Sequence, residues 1–191
     1  MSNIFFDISS LRHLGKDVII GKAVRIRHPE KVSIGDNTII DDFTYISGEV
    51  NIGKYVHIAS SCAVQATAKS KVSIGDFAGL SSGVRVFAGS AEYVNCSFDY
   101  APIPASEQYG GIFEEVKIGQ FVQVGANSVV LPGTVLPNGF TCGALNKLTR
   151  KIKYLRWNCL ADPESGASVR RTGVVKLLES ASKLTGQEYE R

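Results

Sequence analysis

The sequence predicts an all-β fold, a parallel β-helix solenoid. Three observations predict it: a six-residue period, a fixed residue type two places before each repeat position, and a Gly that often follows one place after. Ile34, Ile40, Ile46, Ile52, Ile58 and Val64 form one run. Ile74, Leu80 and Val86 form a second, and Ile118, Val124, Val130, Leu136, Cys142 and Leu148 a third. A period of six fits neither the 3.6 of a helix nor the plain alternation of an isolated strand. It fits a chain that winds, so that each short strand stacks on its copy one turn below. Small or β-branched residues two places earlier, such as Val32, Thr38, Thr44, Val50, Val56 and Cys62, share the inward face, because side chains alternate along a strand. The following Gly residues, among them Gly21, Gly35, Gly53, Gly75, Gly119, Gly125 and Gly143, read as corners that need backbone freedom.

Taken in order, residues 1–17 read as an N-terminal cap, with Phe5, Phe6, Ile8, Leu11 and Leu14 spaced as a short amphipathic helix. Residues 18–149 form the β-helix domain. It is interrupted briefly by His28-Pro29-Glu30 and by Ala66 to Lys71, and then broken altogether over 88–115. That segment is polar and aromatic, and an insertion of such length in a regular coil is usually functional. Residues 150–191 form a C-terminal extension. It starts in a basic cluster (Lys147, Arg150, Lys151, Lys153, Arg156) around Tyr154 and Trp157. It continues through a linker at Pro163 to Gly166 and ends in a helical pattern from Val169 to Leu184, with Val174, Leu177, Leu178, Ala181 and Leu184 on one face.

Composition excludes several classes. The chain has 191 residues, 44% of them hydrophobic and 20% charged, which suits one domain with a tail. A net charge of +3 with dispersed basic residues gives no case for nucleic acid or for an anionic membrane surface. No apolar run reaches membrane-spanning length, and the start of the chain lacks a signal-peptide pattern, so a cytoplasmic location is the expectation. Of the four cysteines, Cys62 and Cys142 fall on inward positions, Cys96 in the loop and Cys159 in the extension. No pair has metal-ligand spacing, so neither a metal nor a disulfide framework is expected.

Units such as Ile52-Gly53-Lys54-Tyr55-Val56-His57 and Ile118-Gly119-Gln120-Phe121-Val122-Gln123 resemble the hexapeptide repeats of the left-handed β-helix acyltransferases over roughly residues 18 to 149. Handedness comes from that resemblance, since crossovers in ordinary sheets are right-handed. The resemblance implies a homotrimer, with acyl-CoA (acetyl-CoA or another short acyl-CoA) in a groove between coils and the long loop completing the site. It places the coenzyme along Gly125 and Ala126, and again along Gly143 and Ala144 one turn on, with Lys147, Arg150 and Lys151 as candidates for its phosphates. The alternative for these residues is ordinary corners and a solvated basic surface. The family's Gly-x-Pro-Ala-Lys segment beside the adenine is absent, and Tyr154-Leu155-Arg156-Trp157 stands there instead.

The O-acetyltransferases of this family carry a loop histidine as general base. Here the loop reads Phe87-Ala88-Gly89-Ser90-Ala91-Glu92-Tyr93, with Ala91 at the histidine's place. A hydroxyl needs a base to become a nucleophile, whereas a neutral amine does not. The pattern is therefore most similar to N-acyltransferases acting on nucleotide-linked amino sugars, such as dTDP-4-amino-4,6-dideoxyglucose, which supply surface glycans. Glu92 and Asp99, with His57 on the coil body, are the candidate catalytic groups, and Asp41, Asp42, Tyr93 and Tyr109 the candidate substrate contacts. Three other readings remain at this point: an O-acetyltransferase using His57 or Glu92, a zinc carbonic anhydrase on the same coil using His13, His28 and His57, and a non-catalytic scaffold.

Overall fold

A computed structural model describes residues 3–99, 102–160 and 167–190. The linker at Pro163 to Gly166 and the loop residue Tyr100 lie outside them. The chain winds as a triangular prism with one short strand per face and per coil. The first coil holds β1 (His13–Leu14), β2 (Ile19–Ile20) and β3 (Arg25–Ile26); the second holds β4 (Val32–Ile34), β5 (Ile39–Ile40) and β6 (Tyr45–Ser47). The third holds β7 (Glu49–Ile52), β8 (His57–Ile58) and β9 (Ala63–Gln65), and the fourth β10 (Lys71–Ile74), β11 (Gly79–Leu80) and β12 (Arg85–Phe87). A hairpin of β13 (Gly89–Ser90) and β14 (Ile112–Phe113) then brackets the inserted loop. The fifth coil holds β15 (Val116–Ile118), β16 (Gln123–Val124) and β17 (Val129–Val130); the sixth holds β18 (Val135–Leu136), β19 (Thr141–Cys142) and β20 (Lys147–Leu148). A seventh begins with β21 (Asn158–Leu160), which pairs antiparallel with β22 (Ser168–Arg170), and α1 (Val174–Thr185) follows.

The faces are sheets of 6, 8 and 6 strands, parallel except where β22 closes the second face antiparallel to β21. Register is strict: Val32, Val50, Val72 and Val116 align on the first face, and Ile34, Ile52, Ile74 and Ile118 beside them. Inward residues form continuous columns, and Ile34, Ile40, Ile46, Ile58, Val50 and Val72 are fully buried. Each coil is one supersecondary unit that cannot bury its inner face alone, so the stack supplies the core. The first edge joins the first and second faces, the second edge joins the second and third, and the third edge returns to the next coil.

Three expectations change. The N-terminal cap is not an amphipathic helix: among its described residues the only helical segment is a 3-10 turn at Ile8–Ser10, and Leu14 already belongs to β1. The coil therefore spans more than 18–149, from His13 to Leu160. The third change concerns the corner Gly residues. Left-handed backbone falls two residues later, on Asn37, Phe43, Tyr55, Phe77, Phe121 and Asn127. What the Gly positions require is close approach: a Cβ on Gly35 would sit 2.6 Å from the carbonyl carbon of Gly53. Corners are also stitched by side-chain acceptors. Lys16 N–H donates to Asp36 (2.8 Å), Ala23 N–H to Asp42 (2.7 Å), Lys54 N–H to Asp76 (2.8 Å) and Gln120 N–H to Asn138 (3.0 Å).

The first edge carries an aromatic column. Tyr55 stacks on Phe77 and Phe77 on Phe121, each at 5.0 Å between centroids, and Trp157 follows at 5.6 Å. Tyr189 meets Phe77 and Phe121 edge-on. The helix α1 buries Val174, Leu178 and Ala181 against Phe121 and Trp157, while Leu184 stays exposed. The helical pattern thus begins at Val174, and Val169 belongs to β22.

Candidate active site

The inserted loop leaves the third edge of the fourth coil and folds back over the upper third face. Its base is rigid. Gly89 and Ser90 pair with Phe113 and Ile112, and Glu114 N–H donates to Ala88 O at 3.1 Å. Beneath its first half lies a cleft of about 900 Å³. Ser90, Ala91, Glu92, Tyr93 and Val94 form one wall; Leu131, Pro132, Leu145, Lys147 and residues Thr149 to Ile152 form the other. Phe87 lies on the floor, on the outer side of the third face. The lining is mainly apolar with cations along one side, the composition of a pocket that orients a charged ligand through few polar contacts.

The cleft brings together Glu92, Tyr93, Lys147, Arg150 and Lys151. Leu145 ties it to the Gly143-Ala144 corner, and Gly125-Ala126 is the same corner one coil below, as the pairing of Val124 with Cys142 shows. The two Gly residues there differ. A Cβ on Gly125 would lie 2.2 Å from the Gly143 carbonyl carbon, so Gly125 is required by the coil itself. Gly143 has nothing within 4 Å of that position and leaves open space at the rim.

Several candidate residues already have partners within the chain. Arg150 is bound to Glu114 at the loop's exit, so its charge is already compensated; both side chains are partly exposed. Lys147 and Lys151 have no ion-pair partner among the described residues. Glu92 Oε1 accepts the Val94 N–H at 3.0 Å, and its backbone N–H donates to Ser97 Oγ at 2.8 Å, so Glu92 shapes its own turn. Asp42 Oδ1 accepts the Ala23 N–H at 2.7 Å, so this carboxylate also stitches the corner below. Asp99 and Tyr109 lie in the far half of the loop, outside the cleft lining; Tyr109 bridges Phe98 in the backbone, their rings 6.0 Å apart. Tyr154 and Trp157 do not line the cleft. Both are buried at the coil's end, where Tyr154 packs on Phe140 and its hydroxyl accepts Thr149 N–H at 2.7 Å. Burial also pushes the Tyr154 hydroxyl and the Cys62 and Cys142 thiols above their ordinary pKa values.

His57 and Asp41 meet on the second edge, two and three coils below Gly125's, with His57 Nε2 2.9 Å from Asp41 Oδ2. His13 is on the first face and His28 on the third edge beside Glu30, so the three histidines do not converge. Among the described residues no group of three His, Cys, Asp or Glu could hold a metal, and no helix is long and apolar enough to cross a membrane. The wall residues Leu131, Pro132, Leu145 and Ile152 escaped the sequence reading. They fill ordinary corner or post-coil positions, and only the loop's fold-back makes them a wall.

No protein-family model matches the chain. It is 34% identical to a dTDP-4-amino-4,6-dideoxy-D-glucose acyltransferase of Escherichia coli over 138 residues, 71% of this chain and 70% of that one. Its structure is similar to that of AntD, an N-acyltransferase from Bacillus cereus, solved in complex with dTDP and 3-hydroxybutyryl-CoA. The TM-score is 0.80 at 27% identity, covering 97% of this chain and 100% of the other. A single-residue variant of AntD, in complex with dTDP-4-amino-4,6-dideoxyglucose and coenzyme A, matches with a TM-score of 0.80 at 26% identity, covering 96% and 100%. A hexapeptide-repeat coil with a loop-walled, cation-edged cleft, and a relative of that identity and coverage, define its kind: the chain is an acyltransferase and belongs to the dTDP-4-amino-4,6-dideoxyglucose acyltransferase family.

Proposed function

We propose that this enzyme transfers a short acyl group from acyl-CoA to the amino group of a dTDP-linked amino-deoxy sugar, a precursor of surface polysaccharide. One observation carries the reading: AntD, which binds dTDP and 3-hydroxybutyryl-CoA, shares the fold over nearly the whole of both chains. The cleft suits such ligands. Lys147 and Lys151 supply uncompensated charge for phosphates, and the apolar walls suit a pantetheine arm or an acyl chain. Gly143 and Ala144 leave the rim open where a coenzyme amide would approach the backbone. Acetyl and slightly longer acyl groups both fit the proposal, and the chemistry requires no metal.

The site is completed by a second copy in a homotrimer. Support comes from the second edge, where Phe43 on the second coil is 73% and Leu145 on the sixth 77% exposed, so that apolar side chains face outward near both ends of that edge for a second copy to cover. The enzyme works on soluble nucleotide sugars in the cytoplasm, without nucleic acid or membrane. The Asp41–His57 pair favours one alternative, O-acetylation, because a hydroxyl acceptor needs a base. Thiol release from acetyl-CoA, measured with a panel of dTDP-, UDP- and GDP-amino sugars and with hydroxyl sugars, tests the reading. Turnover with the dTDP-amino sugar supports it, and turnover with hydroxyl sugars alone overturns it.

A further inference from the structure

We propose that Glu114, acting through Arg150, is a positioning residue for the coenzyme: it holds the turn that carries Lys151 against the inserted loop. This rests on the reading that the cleft takes acyl-CoA. The two walls of the cleft differ in firmness. The loop wall grows from a stem fixed to the fourth coil. Gly89 pairs with Phe113, Ala88 N–H donates to Gln65 O at 2.9 Å, and Glu114 N–H donates to Ala88 O at 3.1 Å. Lys69 Nζ lies 4.7 Å from the Phe113 ring centroid. Glu115, the next residue, pairs with Lys71 at 3.5 Å and Lys117 at 3.2 Å.

The opposite wall has no such frame. The sheet of the third face ends at β20, so Thr149 to Ile152 lie beyond its last strand. Thr149 N–H is held by the buried Tyr154 hydroxyl at 2.7 Å, and Ile152 packs on the core. Between these anchors the turn closes on itself: Lys151 N–H donates to Thr149 Oγ1 and Ile152 N–H to Thr149 O, both at 3.3 Å. Arg150 and Lys151 stand exposed at its tip. Long local bonds of this kind leave the place of the tip to its tertiary contacts.

Arg150 supplies that contact. Its guanidinium is bound to the Glu114 carboxylate, the only ion pair among the described residues between the loop stem and this wall. The coil makes room for the pair at Gly133, whose φ is +76°. A Cβ there would strike the Glu114 carboxylate and lie 3.0 Å from Arg150 Cδ, so the corner needs Gly for the pair as well as for its own backbone. Arg150 and Lys151 are neighbours in the chain, and fixing the first restricts the second. Lys147 belongs to β20 and needs no such support.

Two effects of Glu114 on a phosphate-binding cleft have opposite sign. Its charge repels phosphate, so by charge alone its removal tightens coenzyme binding. Its hold on the turn orders Lys151 in advance, so its removal weakens binding by the freedom that Lys151 regains. The pair is partly exposed, and solvent and salt screen the first effect. Ordering one long side chain in advance is worth about two- to twelvefold in affinity. The positioning effect therefore prevails.

The test is calorimetric titration of coenzyme A into wild type, Glu114→Gln, Arg150→Gln, the double variant, and Glu114→Gln in a Lys151→Gln background. The kcat of each is read at saturating acetyl-CoA and dTDP-4-amino-4,6-dideoxyglucose. Melting checks the fold, and loss of so exposed a pair should lower Tm by no more than about 2–4 °C. The expected result is a Kd raised about threefold in each single variant and no further in the double, with kcat within about twofold of wild type. Once Lys151 is replaced, Glu114→Gln should add nothing. A Kd unchanged or lowered in Glu114→Gln, additive losses in the double variant, or the same loss without Lys151 overturns the assignment and leaves the cleft reading standing. No binding of coenzyme A by wild type overturns both.

Discussion

Adding a methyl group at Gly125 and at Gly143 should give opposite outcomes, although the two Gly residues occupy equivalent corners one coil apart. At Gly125 the new Cβ would lie 2.2 Å from the Gly143 carbonyl carbon, 2.3 Å from its oxygen and 2.5 Å from Ala144 N. Relief requires the two coils to part by about 1 Å, because ordinary carbon contacts lie at about 3.5–4.0 Å. All three atoms are backbone and cannot rotate away. The move also strains Gly125 N–H to Cys142 O (3.1 Å) and Leu145 N–H to Ala126 O (2.9 Å). Overpacking of this kind costs about 1–3 kcal/mol, and in a chain of this size each kcal/mol lowers Tm by about 2–4 °C. Gly125→Ala should therefore melt about 2–12 °C below wild type. Gly143→Ala meets nothing within 4 Å and should stay within about 0.5 kcal/mol of wild type. Any loss of acyl-CoA affinity in Gly143→Ala then reports on the ligand and not on the fold. Calorimetric melting with and without acetyl-CoA reads both effects. Equal Tm values for the two variants would refute the argument from coil spacing, and unchanged coenzyme stabilisation in Gly143→Ala would remove the rim from the site.

Three further outcomes are expected. Phe121→Ala should lose about 3–5 kcal/mol, since the ring is buried between Phe77 and Trp157 under α1; a Tm within a degree of wild type would show the aromatic column to be idle. Lys147→Gln should raise KM for acyl-CoA about tenfold and Arg150→Gln far less, because Glu114 already engages Arg150; steady-state kinetics showing the reverse order would return the phosphate role to Arg150. Asp36 is held below the usual carboxylate range, first by Lys16 N–H and then by Lys54. A depressed folded-state pKa stabilises above the unfolded-state value, and that stabilisation is lost as pH falls through the folded-state one. Wild-type Tm should thus fall more steeply than that of Asp36→Asn between about pH 5 and about pH 2, and parallel curves would contradict this.

The coil was legible because burial repeats with the chain's own period. Ile34 through Leu148 face inward wherever the six-residue rhythm puts them, and one slip would turn a whole strand outward. The cap helix was misread because Ile8 and Leu11 have helical spacing, yet the chain needs strand pairing by His13 to start the first face. The corner Gly residues were found for the wrong reason. Sequence shows a small residue at a turn, but only the stacked coils show which backbone it would strike. At the site, Lys147 and Gly143 could be picked from the pattern. The engagement of Arg150 by Glu114, of Asp42 by Ala23 N–H and of Glu92 by Val94 N–H could not, because each depends on where a loop or a coil 19 or more residues away, or the chain's own turn, comes to rest. The Asp41–His57 contact spans 16 residues, one coil, and strand register alone creates it.

The measurement that tests the central claim most directly is the chemical identity of the bond formed. The enzyme is incubated with acetyl-CoA and dTDP-4-amino-4,6-dideoxyglucose, and the nucleotide-sugar product is treated with alkaline hydroxylamine and read by mass spectrometry. The account predicts one added acetyl group that survives hydroxylamine, an amide on the sugar nitrogen, with one thiol released per product. An acetyl group removed by hydroxylamine, an ester on a sugar hydroxyl with the amine left free, would contradict it.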